Sequence, residues 1–135
     1  MTPEQAQKVK AIKAAVGAHD RVVMDHLASI DTFERSARKA GSGRVWPEWP
    51  QRIAGLQAET LKARDRLNHL HTGLRAQRTL AAALSELASA YGAWHRGLTA
   101  TKVSVVDEAV ASMQRHFHNA ARLGKSGLAD LKVGR

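Results

Sequence analysis

Two histidines near the start of the chain, His19 and His26, fall within a run of apolar residues that repeats every seven positions. In a helix this separation is two turns, or about 10.5 Å along the axis, so the two rings cannot share one metal ion. Either ring could pair with a histidine of a facing helix, His69, His95 or His116, to hold a metal or haem. The simpler interpretation is an imidazole bonded to a nearby carbonyl or carboxylate, because buried polar groups are usually satisfied locally. We therefore predict no cofactor, and keep an apolar ligand or haem near His19 and His26 as an alternative.

Other residue patterns exclude several kinds of catalytic and metal site. The chain has no cysteine, which rules out disulfides, thiolate zinc sites and a cysteine nucleophile. It contains no Glu-x-x-His, the motif that di-iron bundles need on two helices. Asp65 and His69 are spaced for one helix face, but a single pair of this kind is typical of a surface hydrogen bond. Because phosphate-binding glycine loops and serine nucleophile elbows are also missing, we predict that the protein is not an enzyme and holds no metal.

Two sets of basic residues repeat at helical spacing and could bind anions. The first would border the core face of one helix and consists of Arg64, His71, Arg75 and Arg78. The second follows the outer face of the last predicted helix and consists of Arg115, His118, Arg122 and Lys125. Both sets could neutralise phosphates. A solvated face is the simpler interpretation, because no aromatic residue is interleaved to stack on bases.

Two tryptophans, Trp46 and Trp49, stand in the segment WPEWP and could anchor a protein partner, since tryptophan is enriched at interface hot spots. The alternative is local packing, with Trp49 against the start of the second helix and Trp46 over the end of the bundle. Tyr91 and Trp94 instead follow a helical seam, which predicts that they lie in the core.

The elements that position these residues are predicted to be helices of a single domain, residues 1–135. Hydrophobic residues make up 44% of the chain and aromatic residues only 4%, a composition that favours an all-α fold and disfavours sheet. No apolar stretch reaches the length of a membrane span, and the lysine-rich N-terminus does not resemble a secretory leader, so we expect a cytoplasmic protein. The formal net charge of +9 attracts phosphates, acidic proteins or anionic lipid surfaces.

The first helix is predicted to begin at Pro3 behind a Thr2 cap and to end near Ala40. Glycines and prolines then stop it, so residues 41–49 form the principal loop and the second helix begins near Pro50. The buried seam of the first helix comprises Val9, Ile12, Val16, His19, Val23, His26, Ile30, Phe33 and Ala37.

The pattern of buried residues shifts by one heptad position within residues 50–98. The earlier seam consists of Ile53, Leu56, Thr60, Ala63, Leu67, Leu70 and Leu74. The later seam consists of Leu80, Leu84, Leu87, Tyr91, Trp94 and Leu98. This shift favours a break between Thr72 and Thr79 over a stutter in one long helix. We therefore predict an antiparallel bundle of four helices, or of three if residues 50–98 form one long helix.

The last helix is predicted to begin near Ser104, where Ser104 and Asp107 approximate a capping box. Its seam comprises Val103, Val106, Val110, Met113, Phe117 and Ala120. Gly124 and Gly127 weaken the helix and predict a kink or a short terminal turn before Leu128.

The regular heptads and long helices favour a non-enzymatic interaction or structural module that associates with itself as a homo-oligomer or with a protein partner. A sequence-independent binder of nucleic acid or another polyanion is the first alternative. Binding of an apolar ligand or haem within the bundle is the second. Salt weakens binding to a polyanion far more than association between proteins, so it distinguishes the interaction module from the polyanion binder. Haem binding would colour the purified protein.

Overall fold

A computed structural model describes residues 1–16 and 49–135, and these ranges contain four α-helices and no strand. The helices are α1 (Pro3–Val16), α2 (Trp49–Asn68), α3 (Arg75–Thr99) and α4 (Val103–Lys132). The all-α prediction is confirmed. The predicted loop at 41–49 lies outside the described residues except for Trp49, which already begins α2. The seam positions from His19 to Ala37 lie outside them as well.

The N-terminus of α1 is capped as its sequence predicts. The Thr2 hydroxyl accepts a hydrogen bond from the Gln5 backbone N–H at 3.1 Å, and the Gln5 amide oxygen accepts one from the Thr2 N–H at 2.9 Å. These two reciprocal bonds form a capping box, and Pro3 suits the first helical position because it has no N–H to satisfy there. The predicted seam residues Val9 and Val16 are buried.

A turn at residues 69–74 separates α2 from α3, so the predicted break exists and begins slightly earlier than expected. Gln77 organises this turn from the first part of α3. Its side-chain amide donates to the carbonyl of Leu67, in the last turn of α2, at 2.7 Å and to the carbonyl of Leu70, in the following turn, at 2.9 Å. The Thr72 hydroxyl donates to the Gln77 amide oxygen at 2.6 Å. One side chain therefore closes the end of one helix and links it to the next.

Gly73 occupies the left-handed region within this turn, with a φ of +71° and open space where a side chain would begin. We expect Gly73→Ala to reduce the free energy of unfolding by about 1 kcal/mol, because an L-residue is strained at this φ. In a continuous helix the same change would instead stabilise by about 1 kcal/mol. Urea unfolding measures the sign, and Gly73→Asn should cost less because asparagine tolerates this conformation. A stabilised alanine variant would mean that residues 50–98 form one helix.

The antiparallel pair α3 and α4 shares the largest interface among the described helices. Small residues permit their close approach: a methyl group added at Gly127 would lie 2.7 Å from Cδ2 of Leu80, and one at Gly97 would lie 3.2 Å from Cβ of Ala109. Gly124 and Gly127 are both buried, and α4 continues through them to Lys132. The predicted terminal turn was therefore wrong: the helix does not end at these glycines, and Gly127 packs closely against Leu80.

An aromatic cluster of Tyr91, Trp94 and Phe117 fills the core between α3 and α4. The Phe117 ring packs edge to face against the rings of Tyr91 and Trp94. Its centroid lies 5.9 Å from that of Tyr91 and 6.4 Å from that of Trp94. Burial raises the pKa of the Tyr91 hydroxyl above its ordinary value of 10.0. The predicted core position of Tyr91 and Trp94 is confirmed.

Among the predicted seam residues that the structure describes, Val103 is the one found exposed. It is the first residue of α4 and is 75% exposed, because the chain has not yet reached the partner helix at this point. The predicted capping box is not used either. The N-cap is Lys102, which makes no side-chain hydrogen bond to the helix. Helix α4 therefore gains its stability from packing along its length and not from its first turn.

Candidate functional site

The break between α2 and α3 divides the first predicted basic set. Arg64 lies in α2, His71 in the turn, and Arg75 and Arg78 in α3. The heptad line through these residues assumed one continuous helix, and that assumption was wrong. The four residues therefore do not lie along one helix face.

Two arginines of this set are also neutralised by carboxylates. Arg64 lies 3.0 Å from Asp65, its neighbour in the chain. Arg75 makes two hydrogen bonds to the Asp130 carboxylate in α4, from Nε at 3.0 Å and from the terminal nitrogen at 2.9 Å. This two-pronged geometry is the strongest that an arginine forms with a carboxylate. The set therefore contains a structural link between α3 and α4 and offers less free charge than its sequence suggests.

The hydrogen bonds from Arg75 hold the pKa of Asp130 below its ordinary value of 3.8. A carboxylate with a lowered pKa in the folded state adds stability above its unfolded pKa, and that stability disappears as the pH falls through the folded pKa. We expect the wild-type melting temperature to fall more steeply below about pH 4 than that of Asp130→Asn. Thermal unfolding followed by circular dichroism between about pH 6 and pH 2 tests this. Asp107→Asn, at an exposed carboxylate, is the control and should keep the wild-type slope.

The second predicted basic set survives intact on α4, and we call it the α4 basic face: Arg115, His118, Arg122 and Lys125. All four residues are exposed. The opposite side of the same turns packs into the core through Met113, Phe117 and Ala120. Because α4 is unbroken from Val103 to Lys132, the spacing of three and four residues places the set along one line.

Three cations of the α4 basic face have no acidic partner in the part of the chain that the structure describes. Within residues 1–16 and 49–135, Arg115, Arg122 and Lys125 form no ion pair with a carboxylate. The acidic residues Asp107 and Glu108 lie nearer the N-terminus of α4. The remaining carboxylate of this helix, Asp130, is already bonded to Arg75. Arg115, Arg122 and Lys125 are therefore exposed cations without a carboxylate partner among the described residues.

The histidines in the described ranges do not gather into a metal site. His116 Nδ1 lies 2.6 Å from the Glu86 carboxylate, which joins α4 to α3. His69 contacts the backbone carbonyl of Asp65 at 2.6 Å, a local bond within one helical turn. No group of three or more histidine or acidic side chains is arranged to hold a metal ion in this part of the chain. His19 and His26 lie outside the described residues, and so does the ligand or haem site predicted beside them.

The predicted protein anchors fall at or beyond the edge of the described chain. Trp46 lies outside the described residues. The backbone of Trp49 forms the first position of α2, but its side chain is not among the parts of the chain that the structure describes.

A cavity of about 20 Å³ lies between α3 and α4, lined in part by Trp94, Gly97 and Met113. This volume suits about one water molecule.

Two contacts in this region were not predicted from the sequence: the pair of Arg75 with Asp130 and the pair of Glu86 with His116. They join α3 to α4 across 55 and 30 residues of chain respectively. A local signal could not reveal them, since both depend on how two antiparallel helices align.

Among the helices of residues 1–16 and 49–135, we find no candidate for a membrane span. Comparisons with protein-family models, curated proteins and solved structures found no match to this chain.

Proposed function

We propose that this protein is a non-enzymatic helical module that binds a polyanion through the α4 basic face. One observation carries the proposal: three exposed cations, Arg115, Arg122 and Lys125, line one side of an unbroken helix and have no carboxylate partner among the described residues. Cations arranged in this way can each replace a counterion on a polyanion, and that release drives binding. The formal net charge of +9 adds a long-range field of the same sign.

The described surface gives less support to a self-associating interaction module, the function favoured from the sequence. Interfaces between protein chains have an apolar centre that excludes water. The large hydrophobic side chains exposed in the described ranges are Met1, Val103 and Val133. Val103 begins α4 and Val133 follows its end, so the two are separated by the length of that helix. Met1 lies beside Gly134, next to Val133, but Val103 is far from both, so the three residues do not form one contiguous apolar patch of the kind that such an interface needs.

The test compares two triple variants that remove the same charge. The first changes Arg115, Arg122 and Lys125 to glutamine; the control changes Lys10, Lys13 and Arg96, which are also exposed. We expect fluorescence anisotropy with labelled heparin at about 50 mM salt to show at least tenfold weaker binding for the first variant and less than about threefold for the control. All six side chains are exposed, so both variants should unfold at the wild-type temperature. Equal losses in the two variants, or no wild-type binding, would reject the proposal.

A further inference from the structure

The geometry of the α4 basic face restricts the kind of polyanion it can match. From Arg115 to Lys125 the helix advances ten residues, or about 15 Å. Phe117 and Ala120, on the opposite side of these turns, are completely buried, so the helix that carries the cations is held firmly by the core. The cations therefore form a straight line attached to a rigid support.

A nucleic-acid duplex presents charge at a matching density on a similarly stiff rod. Each strand places one phosphate per ~3.4 Å of axis, so ~15 Å of duplex carries about four phosphates on each strand. A duplex keeps its shape over roughly 150 base pairs. A stiff ligand loses little conformational freedom when it aligns with a rigid line of cations, whereas a flexible strand must be ordered first.

The neighbouring side chains on the same side of α4 disfavour two other ligands. Between Arg115 and Lys132 the other exposed positions are His118, Arg122, Lys125, Ser126 and Ala129. Single strands are held mainly by bases stacking on aromatic side chains, and no tryptophan, tyrosine or phenylalanine is exposed here. A helix that lies on a membrane also buries large apolar side chains in the lipid, and no such side chain is exposed on this stretch.

We infer that the ligand of the α4 basic face is a double-stranded nucleic acid, contacted along its phosphates without regard to base sequence. This inference rests on the proposed function and narrows it to one class of polyanion. Arginine and lysine bound to phosphates position a protein on a duplex but carry no sequence information. Arg115, Arg122 and Lys125 are the residues that make these contacts.

The experiment uses the full chain and four probes: a DNA duplex of about 20 base pairs, a second duplex of shuffled sequence, the corresponding single strand and vesicles containing phosphatidylserine. Binding is measured between about 50 and 200 mM salt. We expect the protein to bind the duplex at least fivefold more tightly than the single strand, and also more tightly than the vesicles. The two duplex sequences should bind with about the same affinity. In the Arg115→Gln, Arg122→Gln, Lys125→Gln variant the slope of log affinity against log salt should fall by about 2.7 in magnitude, or 0.9 for each lost contact.

The outcomes separate this inference from the function on which it rests. Equal or tighter binding of the single strand or the vesicles would overturn the duplex inference and leave heparin binding by the α4 basic face unaffected. A strong preference for one duplex sequence would overturn the claim of sequence independence. An unchanged salt slope in the triple variant would show that Arg115, Arg122 and Lys125 do not contact phosphates, and would overturn the inference at these residues. If heparin binding also fails, the proposed function is wrong.

Discussion

Phe117→Ala is expected to lower the free energy of unfolding by about 3–5 kcal/mol. Phe117 is completely buried and meets the rings of Tyr91 and Trp94 edge to face. Removing it loses the burial of a large apolar side chain and the edge-to-face contacts with two rings. It also leaves a cavity between α3 and α4 that the close-packed helices cannot fill by a small shift.

Urea unfolding followed by circular dichroism measures this loss, and near-ultraviolet circular dichroism reports whether Tyr91 and Trp94 keep their fixed surroundings. Val103→Ala is the matched control, because the heptad pattern assigned both positions to the core of the last helix and Val103 is 75% exposed. Its free energy of unfolding should change by less than about 0.5 kcal/mol. A loss below about 1 kcal/mol for Phe117→Ala would show that the three rings do not pack against one another.

Gly127→Val should destabilise the protein by about 2–3 kcal/mol, through crowding and not through a lost contact. Even one methyl group at Gly127 would lie 2.7 Å from Cδ2 and 2.8 Å from Cγ of Leu80. The Leu80 side chain is only 1% exposed, so it has no free space into which to move. The helices must therefore separate or Leu80 must take a strained rotamer.

Gly55→Val is the control for the Gly127 variant, because Gly55 also lies within a helix and a methyl group added there would meet no heavy atom within 4 Å. It should change the free energy of unfolding by less than about 0.5 kcal/mol, since valine is a slightly better helix former than glycine. Adding Leu80→Ala to Gly127→Val tests the mechanism, because the smaller side chain opens the space that valine needs. The double variant should be more stable than the sum of the two single losses implies. Strictly additive losses would mean that the two residues do not touch.

Features of the fold that depend on neighbouring residues could be predicted from the sequence. The Thr2 cap and the buried positions of α1 follow from local spacing, and the change of heptad register before Leu80 indicates the break between α2 and α3. The exposed α4 basic face is predictable for the same reason. Helical periodicity alone decides that Arg115 and Arg122 lie on the side opposite Phe117.

Features that depend on how two helices align could not be predicted in this way. Glycine is a poor helix former, so the sequence predicts a weak point at Gly127, whereas the structure uses this residue for close approach to Leu80. Arg75 resembles a member of a free basic set, because its partner Asp130 is 55 residues away in the chain. Local spacing decides on which side of a helix such a residue lies, but only the packed bundle decides which charge it meets.

The connection between α3 and α4 is only residues 100–102, and this has a consequence for the order in which the chain folds. Closing a short loop costs little entropy, so we expect this hairpin to form early. Helix α1 is different, because its contacts join distant parts of the chain. The Arg66 guanidinium donates hydrogen bonds to the carbonyls of Ala15 and Val16, 51 and 50 residues away. The Gln5 side-chain amide donates a hydrogen bond to the Gly134 carbonyl, 129 residues away. During synthesis α1 leaves the ribosome before the other three described helices, yet its bond to Gly134 must wait until the chain has been made to that point. Among the four described helices, α1 is therefore made first, and its contact with Gly134 is expected to be one of the last to form.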